Sequence, residues 1–202
     1  MANEDTGAAA LGLDTDIIAS ARCGDRNALG TIWRALNPKL LRFIRTLGVQ
    51  EPDDVASQVW LEIARNLHRL DDDPIRVRGL LFTIARRRCT DAHRRSLRRP
   101  QQSLDALRPT DVPTWQPIGD IASTLDAEAL LRRLAPDIAE LIALRVIVGM
   151  SNAEIAAITG KSEGAIRVAT HRGLRQIQAL LDSSSSEQLS VTKPDAPAMD
   201  QL

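Results

Sequence analysis

A chain of 202 residues has room for one medium domain or two small ones. Its 26 Lys and Arg balance 26 Asp and Glu, which excludes bulk electrostatic attraction to nucleic acid or membrane and leaves local basic clusters as the only cationic surfaces. Aromatic residues make up 2% and tyrosine is absent, while Ala, Leu, Arg and Ile abound, so composition favours an all-α fold over a sandwich or barrel.

Taken in chain order, residues 1–13 are small and polar without apolar period, and predict a disordered N-terminus. The stretch is acidic and lacks the basic and apolar regions of a signal peptide, and no apolar run approaches membrane-span length. The isolated Cys23 and Cys89, with no CxxC partner, fit a reduced cytoplasmic protein. His68, His93 and His171 lie far apart, without metal-ligand spacing, so neither a metal site nor a cofactor is expected.

Helical segments are predicted at Ile17 to Ala21 and at Leu29 to Leu47, the second ended by Gly48 and bent at Pro38. Val55, Val59, Trp60, Ile63, Leu67 and Leu70 recur every three or four residues, which lines the buried face of a third helix. Asp71 to Asp73 and Pro74 mark a loop. A fourth helix follows, with Val77, Leu80, Leu81, Ile84, Ala85, Cys89 and Ala92 inward. These four helices define a first domain at 14–99. Pro100, Pro109, Pro113 and Pro117 remove backbone donors and disfavour helix before them, which makes 100–122 a flexible linker.

A second domain at 123–182 carries helical period at Ala127 to Leu134, Asp137 to Val148, Ala153 to Ile158 and Glu163 to Leu181. Its centre, SNAEIAAITGKSEGAIRVATHRGL, reads as a short helix, a turn containing Gly160, and a longer helix capped by Ser162. That is a helix-turn-helix. The serine- and proline-bearing stretch 183–202 predicts a disordered tail.

Two arginine-rich faces carry the functional argument. On a helical wheel Ile166, Ala169, Thr170, Gly173, Leu174 and Ile177 fall on the packing side of the last helix. Gly164, Arg167, Val168, His171, Arg172 and Arg175 spread over the opposite side, and with Ser162 they form a cationic surface suited to a major groove. In the first domain Arg86, Arg87, Arg94, Arg95, Arg98 and Arg99 are concentrated, and Thr83, Arg86, Arg87, Thr90, His93 and Arg94 lie away from the apolar stripe. That placement lets them meet phosphate and bases. Arg88 points toward the apolar side and is expected to snorkel or to pair with a carboxylate. Glu51, Asp53, Asp54 and Glu62 make the third helix acidic. Favourable interaction with the helix dipole explains the acids at its N-terminal end, and Asp54, Ser57, Gln58 and Glu62 equally offer a polar surface to a protein partner.

These segments resemble the extracytoplasmic function sigma factors of the sigma-70 superfamily. DDVASQVWLEIARNL at 53–67 is similar to the family's core-binding helix, and GLLFTIARRRCTDAHRR at 79–95 to its −10-reading and melting helix. Residues 134–174 resemble its −35-reading domain. The resemblance implies sigma region 2 over 14–99 and sigma region 4 over 123–182. It also implies core RNA polymerase, promoter DNA and an anti-sigma factor as partners, with no covalent chemistry in the chain itself. It further assigns core-polymerase contacts to Asp54, Ser57, Gln58 and Glu62, −10 contacts to Arg86, Arg87, Thr90, His93, Arg94 and Arg98, and −35 contacts to Ser162, Gly164, Arg167, Val168, His171, Arg172 and Arg175. The loop from His68 to Arg76 would hold a flipped base, and the linker would thread toward the polymerase active site and RNA exit path. Ser57 and Gln58 depart from the family's usual Gln and Glu, Leu80 stands where Trp is common, and Ala169 stands for a frequent Arg.

Two rival classes are open to a helix-turn-helix chain. An ordinary transcriptional regulator would pair it with a sensing or dimerising domain, whereas this chain pairs it with a second arginine-rich helix. A serine recombinase would need an α/β catalytic domain, and neither strands nor a base beside a candidate serine is legible.

Overall fold

The computed structural model describes the backbone of residues 13–69, 71–98 and 121–191, and the side chains of 13–69, 71–97 and 127–182. All regular elements among these residues are helical. Asp14 starts α1 (Thr15–Arg22) by accepting from the Ile17 amide at 2.8 Å. Asp25 does the same for α2 (Arg26–Thr46), accepting from Asn27 at 2.8 Å. In both places a carboxylate satisfies amides that the first helical turn leaves without a partner. Pro38 lies inside α2 and the helix runs through it. Helix α3 (Pro52–Asn66) begins with a proline, which lacks the amide that would be orphaned there, and with Asp53 and Asp54 at the positive end of the dipole. A 3-10 turn (Leu67–Arg69) leads to α4 (Pro74–Arg98).

Ile32, Leu36, Leu40, Phe43 and Ile44 of α2 meet Val55, Val59 and Ile63 of α3 and Val77, Leu81, Phe82 and Ala85 of α4, all buried. Each such aliphatic or aromatic side chain contributes about 1.5–3 kcal/mol relative to exposure. Phe43 and Phe82 cross edge to face with centroids 5.3 Å apart. Three positions depart from the expected pattern. Trp60 is only half-buried, because its indole N–H reaches Asn37 Oδ1 at 2.9 Å near the surface. Leu80 is exposed and not part of the inward stripe. Leu13, assigned by composition to the disordered N-terminus, is 3% exposed and belongs to the core; residues 1–12 and Leu70 lie outside the described residues.

In the second domain α5 (Ile121–Arg132) starts one residue before the expected linker end at 122; residues 99–120 lie outside the described part. Helix α6 (Pro136–Ile142) passes into a π-helical segment (Ala143–Val148), which Gly149 ends with φ of 81°. Helix α7 (Asn152–Thr159) opens on a capping box. Ser151 Oγ accepts from the Glu154 amide, and the Glu154 carboxylate accepts from the Ser151 amide at 2.7 Å. Helix α8 (Glu163–Val191) runs past Ser183, where the serine run predicted disorder. Its backbone stays helical there despite the weak propensity of serine.

The two helical domains expected from the sequence also pack on one another. Helix α2 packs on α5, α6 and the π segment, α4 packs on α7, and the buried side chains of both halves form one continuous cluster. The sequence predicted two helical domains joined by a flexible linker, and periodicity alone carries no information on how two finished cores meet.

Candidate nucleic-acid interface

The turn at Gly160 sets the reading helix. Its φ of 71° is the left-handed region that residues with a Cβ rarely adopt, and its amide closes α7 by donating to Ala156 O at 2.8 Å. Ser162 Oγ then accepts from the Ala165 amide at 3.3 Å, capping α8. Ile166, Thr170 and Gly173 are buried against the domain, with Ala169 and Ile177 half-buried. Gly173 is where α8 presses on α6: a Cβ there would come within 2.4 Å of both Ile138 Cγ2 and Ile142 Cδ1. Leu174 departs from the wheel, remaining 45% exposed.

On the outer side Ser162, Gly164, Arg167, Val168, His171, Arg172 and Arg175 are all exposed. Gly164 has open space where a Cβ would stand, so a backbone or base edge can approach it closely. The surface is cationic at the N-terminal half of the helix, where the dipole adds further positive potential. Lys161 is held beside it by Asp137 at 2.9 Å, and that hydrogen bond keeps the Asp137 carboxyl below the usual carboxylate value.

The α4 face is arranged differently. Thr90 and Arg94 are exposed, and Thr90 Oγ1 donates back to Arg86 O at 3.0 Å. His93 is exposed, with Nε2 2.9 Å from Leu47 O, an orphan carbonyl at the end of α2. The Arg98 side chain lies outside the described side chains. Arg87 and Arg88 both grip Glu62 of α3, Arg88 at 2.6 Å. Burial alone would raise the Glu62 carboxyl, but the hydrogen bonds from Arg88 and Arg87 outweigh it and hold the group below its ordinary value. Glu62 is thus half-buried and committed within the chain, while Asp54 and Ser57 are exposed on α3 and Gln58 donates to Asp54 Oδ2 at 2.7 Å.

Arg86 turns toward the second domain, where its Nε meets Glu140 Oε1 at 2.6 Å with the side chain 38% exposed. Sequence reasoning missed Arg78 altogether. It is 1% exposed and paired with Glu154, the same carboxylate that caps α7. One signal was available: Arg78 falls among Val77, Leu81 and Ala85 on the inward side of α4, where a charge requires a partner. Arg42 of α2 adds a longer pair to Glu128 at 3.7 Å. Burial pushes the Glu128 carboxyl up, and the nearby Arg45, Arg42 and Arg132 do not fully offset it. Glu154 ends lowered instead: burial raises it, but the Ser151 amide and Arg78 together win. No cluster of potential metal ligands occurs among the described residues.

The geometry so far defines a helix-turn-helix protein with an arginine-bearing helix in a second helical domain. Comparison with known proteins gives the class its family. The Sigma-70 region 2 family matches residues 32–99, and the family described as Sigma-70, region 4 matches residues 124–177. The ECF RNA polymerase sigma factor SigD of Mycobacterium tuberculosis (strain ATCC 25618 / H37Rv) is 33% identical over 171 residues, covering 80% of this chain and 81% of its own. RNA polymerase sigma factor CnrH of Cupriavidus metallidurans is 30% identical over 192 residues, covering 86% and 97%. The solved structure of CnrH in complex with the cytosolic domain of CnrY superposes with a TM-score of 0.61 at 25% identity, covering 84% of this chain and 97% of that one. The chain belongs to the extracytoplasmic function (ECF) sigma factors of the sigma-70 family, alternative factors for transcription initiation.

Proposed function

We propose that this chain binds core RNA polymerase and brings it to promoters by reading two DNA elements, one with each domain, while performing no covalent chemistry itself. The observation that carries this is the division of α8. Ile166, Thr170 and Gly173 are buried, while Arg167, His171, Arg172 and Arg175 stand exposed beyond a left-handed turn at Gly160. A helix seated in this way places its first turns in a major groove and offers guanidinium forks to guanine edges.

In this reading Ser162, Gly164, Arg167, Val168, His171, Arg172 and Arg175 take the −35 element. Arg86, Arg87, Thr90, His93, Arg94 and Arg98 take the −10 element. Asp54, Ser57 and Gln58 meet the polymerase, while Glu62 holds Arg87 and Arg88 in place and contributes to that contact only indirectly. An anti-sigma protein would restrain the chain, as the CnrY cytosolic domain accompanies CnrH in the similar structure. Among the described residues no helix is long and apolar enough to cross a membrane, and the proposed site of action is the cytoplasm. Transcription in vitro with purified core polymerase and a library of promoter fragments tests the reading. Start sites that require this chain support it, and a library without any such start overturns it.

A further inference from the structure

Helix α1 precedes residues 32–99, over which the chain matches Sigma-70 region 2, yet it is fixed to the first domain. Ile18 and Ala21 are buried, and the helix packs on α2 and on the 3-10 turn at Leu67–Arg69. Its last residue, Arg22, reaches Asp72, 50 positions along the chain, with Nη1 on Oδ1. Asp72 belongs to the segment 67–73 that joins α3 to α4. The carboxylates on either side of it are committed nearby: Asp71 accepts from Arg76 Nη1 at 2.7 Å, and Asp73 starts α4 by accepting from the Ile75 amide at 2.8 Å. Both of those ties end in the first turn of α4, whereas Asp72 reaches a different helix. With the three carboxylates so held, His68, Arg69, Asp71 and Arg76 stand exposed along one short stretch of chain.

The Arg22 and Asp72 side chains are 35% and 40% exposed, and a pair so open to water adds little to global stability. Its consequence is local. Adjacent carboxylates repel one another, and a connecting segment left free loses conformational entropy whenever a ligand orders it. A tie from a helix anchored in the core orders the segment in advance. We propose that Arg22 is a positioning residue for promoter opening: through Asp72 it holds the segment 67–73 in the shape that receives an unstacked −10 base. The inference rests on the sigma-factor reading and extends it to α1. The exposed side chains of His68, Arg69, Asp71 and Arg76 are hydrogen-bonding partners for the edge of a flipped base. Arg22 acts through the segment and touches no base.

The test uses the full-length protein. Arg22→Met removes the charge while keeping an unbranched side chain of similar helix propensity, and Arg26→Met, at the exposed start of α2, is the charge control. Without polymerase, amide hydrogen exchange is followed by mass spectrometry. Arg22→Met is expected to speed exchange within 67–73 alone and to leave the thermal midpoint near that of the parent, and Arg26→Met to change neither. With core polymerase, initiation is measured on an intact promoter and on templates carrying an abasic site at each −10 position of the non-template strand in turn. Arg22→Met is expected to lower initiation on the intact promoter by about threefold and to equal the parent on the template that lacks the captured base. Asp72→Asn is expected to give the same loss, and the double variant no more, because the two side chains act as one unit. Unchanged exchange in 67–73, unchanged initiation, losses that add in the double variant, or a deficit that persists on every abasic template overturns the proposal. An equal deficit from Arg26→Met overturns it too, since charge and not position would then be the cause. If the parent chain directs no start at all, the sigma-factor reading fails, while the exchange measurement still decides whether Arg22 orders the segment.

Discussion

The two arginine-bearing helices solve the same problem in opposite ways. Helix α8 buries small and apolar residues under its outer face and leaves Arg167, Arg172 and Arg175 exposed. Helix α4 commits its charges inward and sideways: Arg78 to Glu154, Arg86 to Glu140, Arg87 and Arg88 to Glu62. An amphipathic wheel sorts residues between faces, but whether a polar face meets water or another domain is a property of the whole chain.

The strongest way to break this contrast is chemical. Cys89 lies beneath the covered face of α4, where burial and Glu140 push its thiol up to about 12 from an ordinary value of 9.0. At mildly alkaline pH that leaves about a thousandfold less thiolate than an unperturbed thiol holds. Exposed Cys23 is expected to alkylate first, with Cys89 modified only on domain opening or unfolding, as mass spectrometry of timed maleimide reactions would resolve. Comparable rates at both sulfurs would mean that the α4 face is open in solution.

The seat of the uncovered helix comes next. Gly173→Val forces side-chain atoms into Ile138 and Ile142, and overpacking of that kind costs about 1–3 kcal/mol or more. Thermal unfolding should report the loss, and an unchanged midpoint would mean that α8 does not bear on α6. Arg167→Ala or Arg172→Ala should then weaken −35-element binding by about 1–3 kcal/mol wherever the side chain reaches a base edge. Unaltered affinity in both variants would remove the reading face.

The smallest effect sharpens the comparison most. Arg94 is exposed and Arg86 is held by Glu140. Arg94→Ala should lower the salt dependence of DNA binding by a log–log slope of about 1 in the free chain and in the polymerase complex alike. Arg86→Ala should lower it in the complex alone. Equal slopes for Arg86→Ala and its parent in both settings would mean that this guanidinium never meets phosphate.

Local physics made much of this molecule legible from its residues. The stripes of α3 and α4, the turn at Gly160, the cap at Ser162 and the pairing of Arg88 with a carboxylate all follow from interactions a few residues long or from the cost of burying charge. What escaped detection acts over longer distances. Glu154 lies 76 positions from Arg78, and no periodicity links them. The helical backbone from Ser183 to Val191 ran against serine propensity, and Leu13 gains its burial from a core assembled out of distant helices.

Glu154 serves two masters: it holds the first turn of α7 through Ser151 and reaches across to Arg78. Any chain that borrowed this helix-turn-helix would carry the glutamate along, since the start of α7 depends on it. The recipient would then need a cation at the matching place, or the carboxylate would meet its new neighbour without a partner. One side chain thus ties a local helix start to a contact between the two halves, and neither can be exchanged without regard to the other.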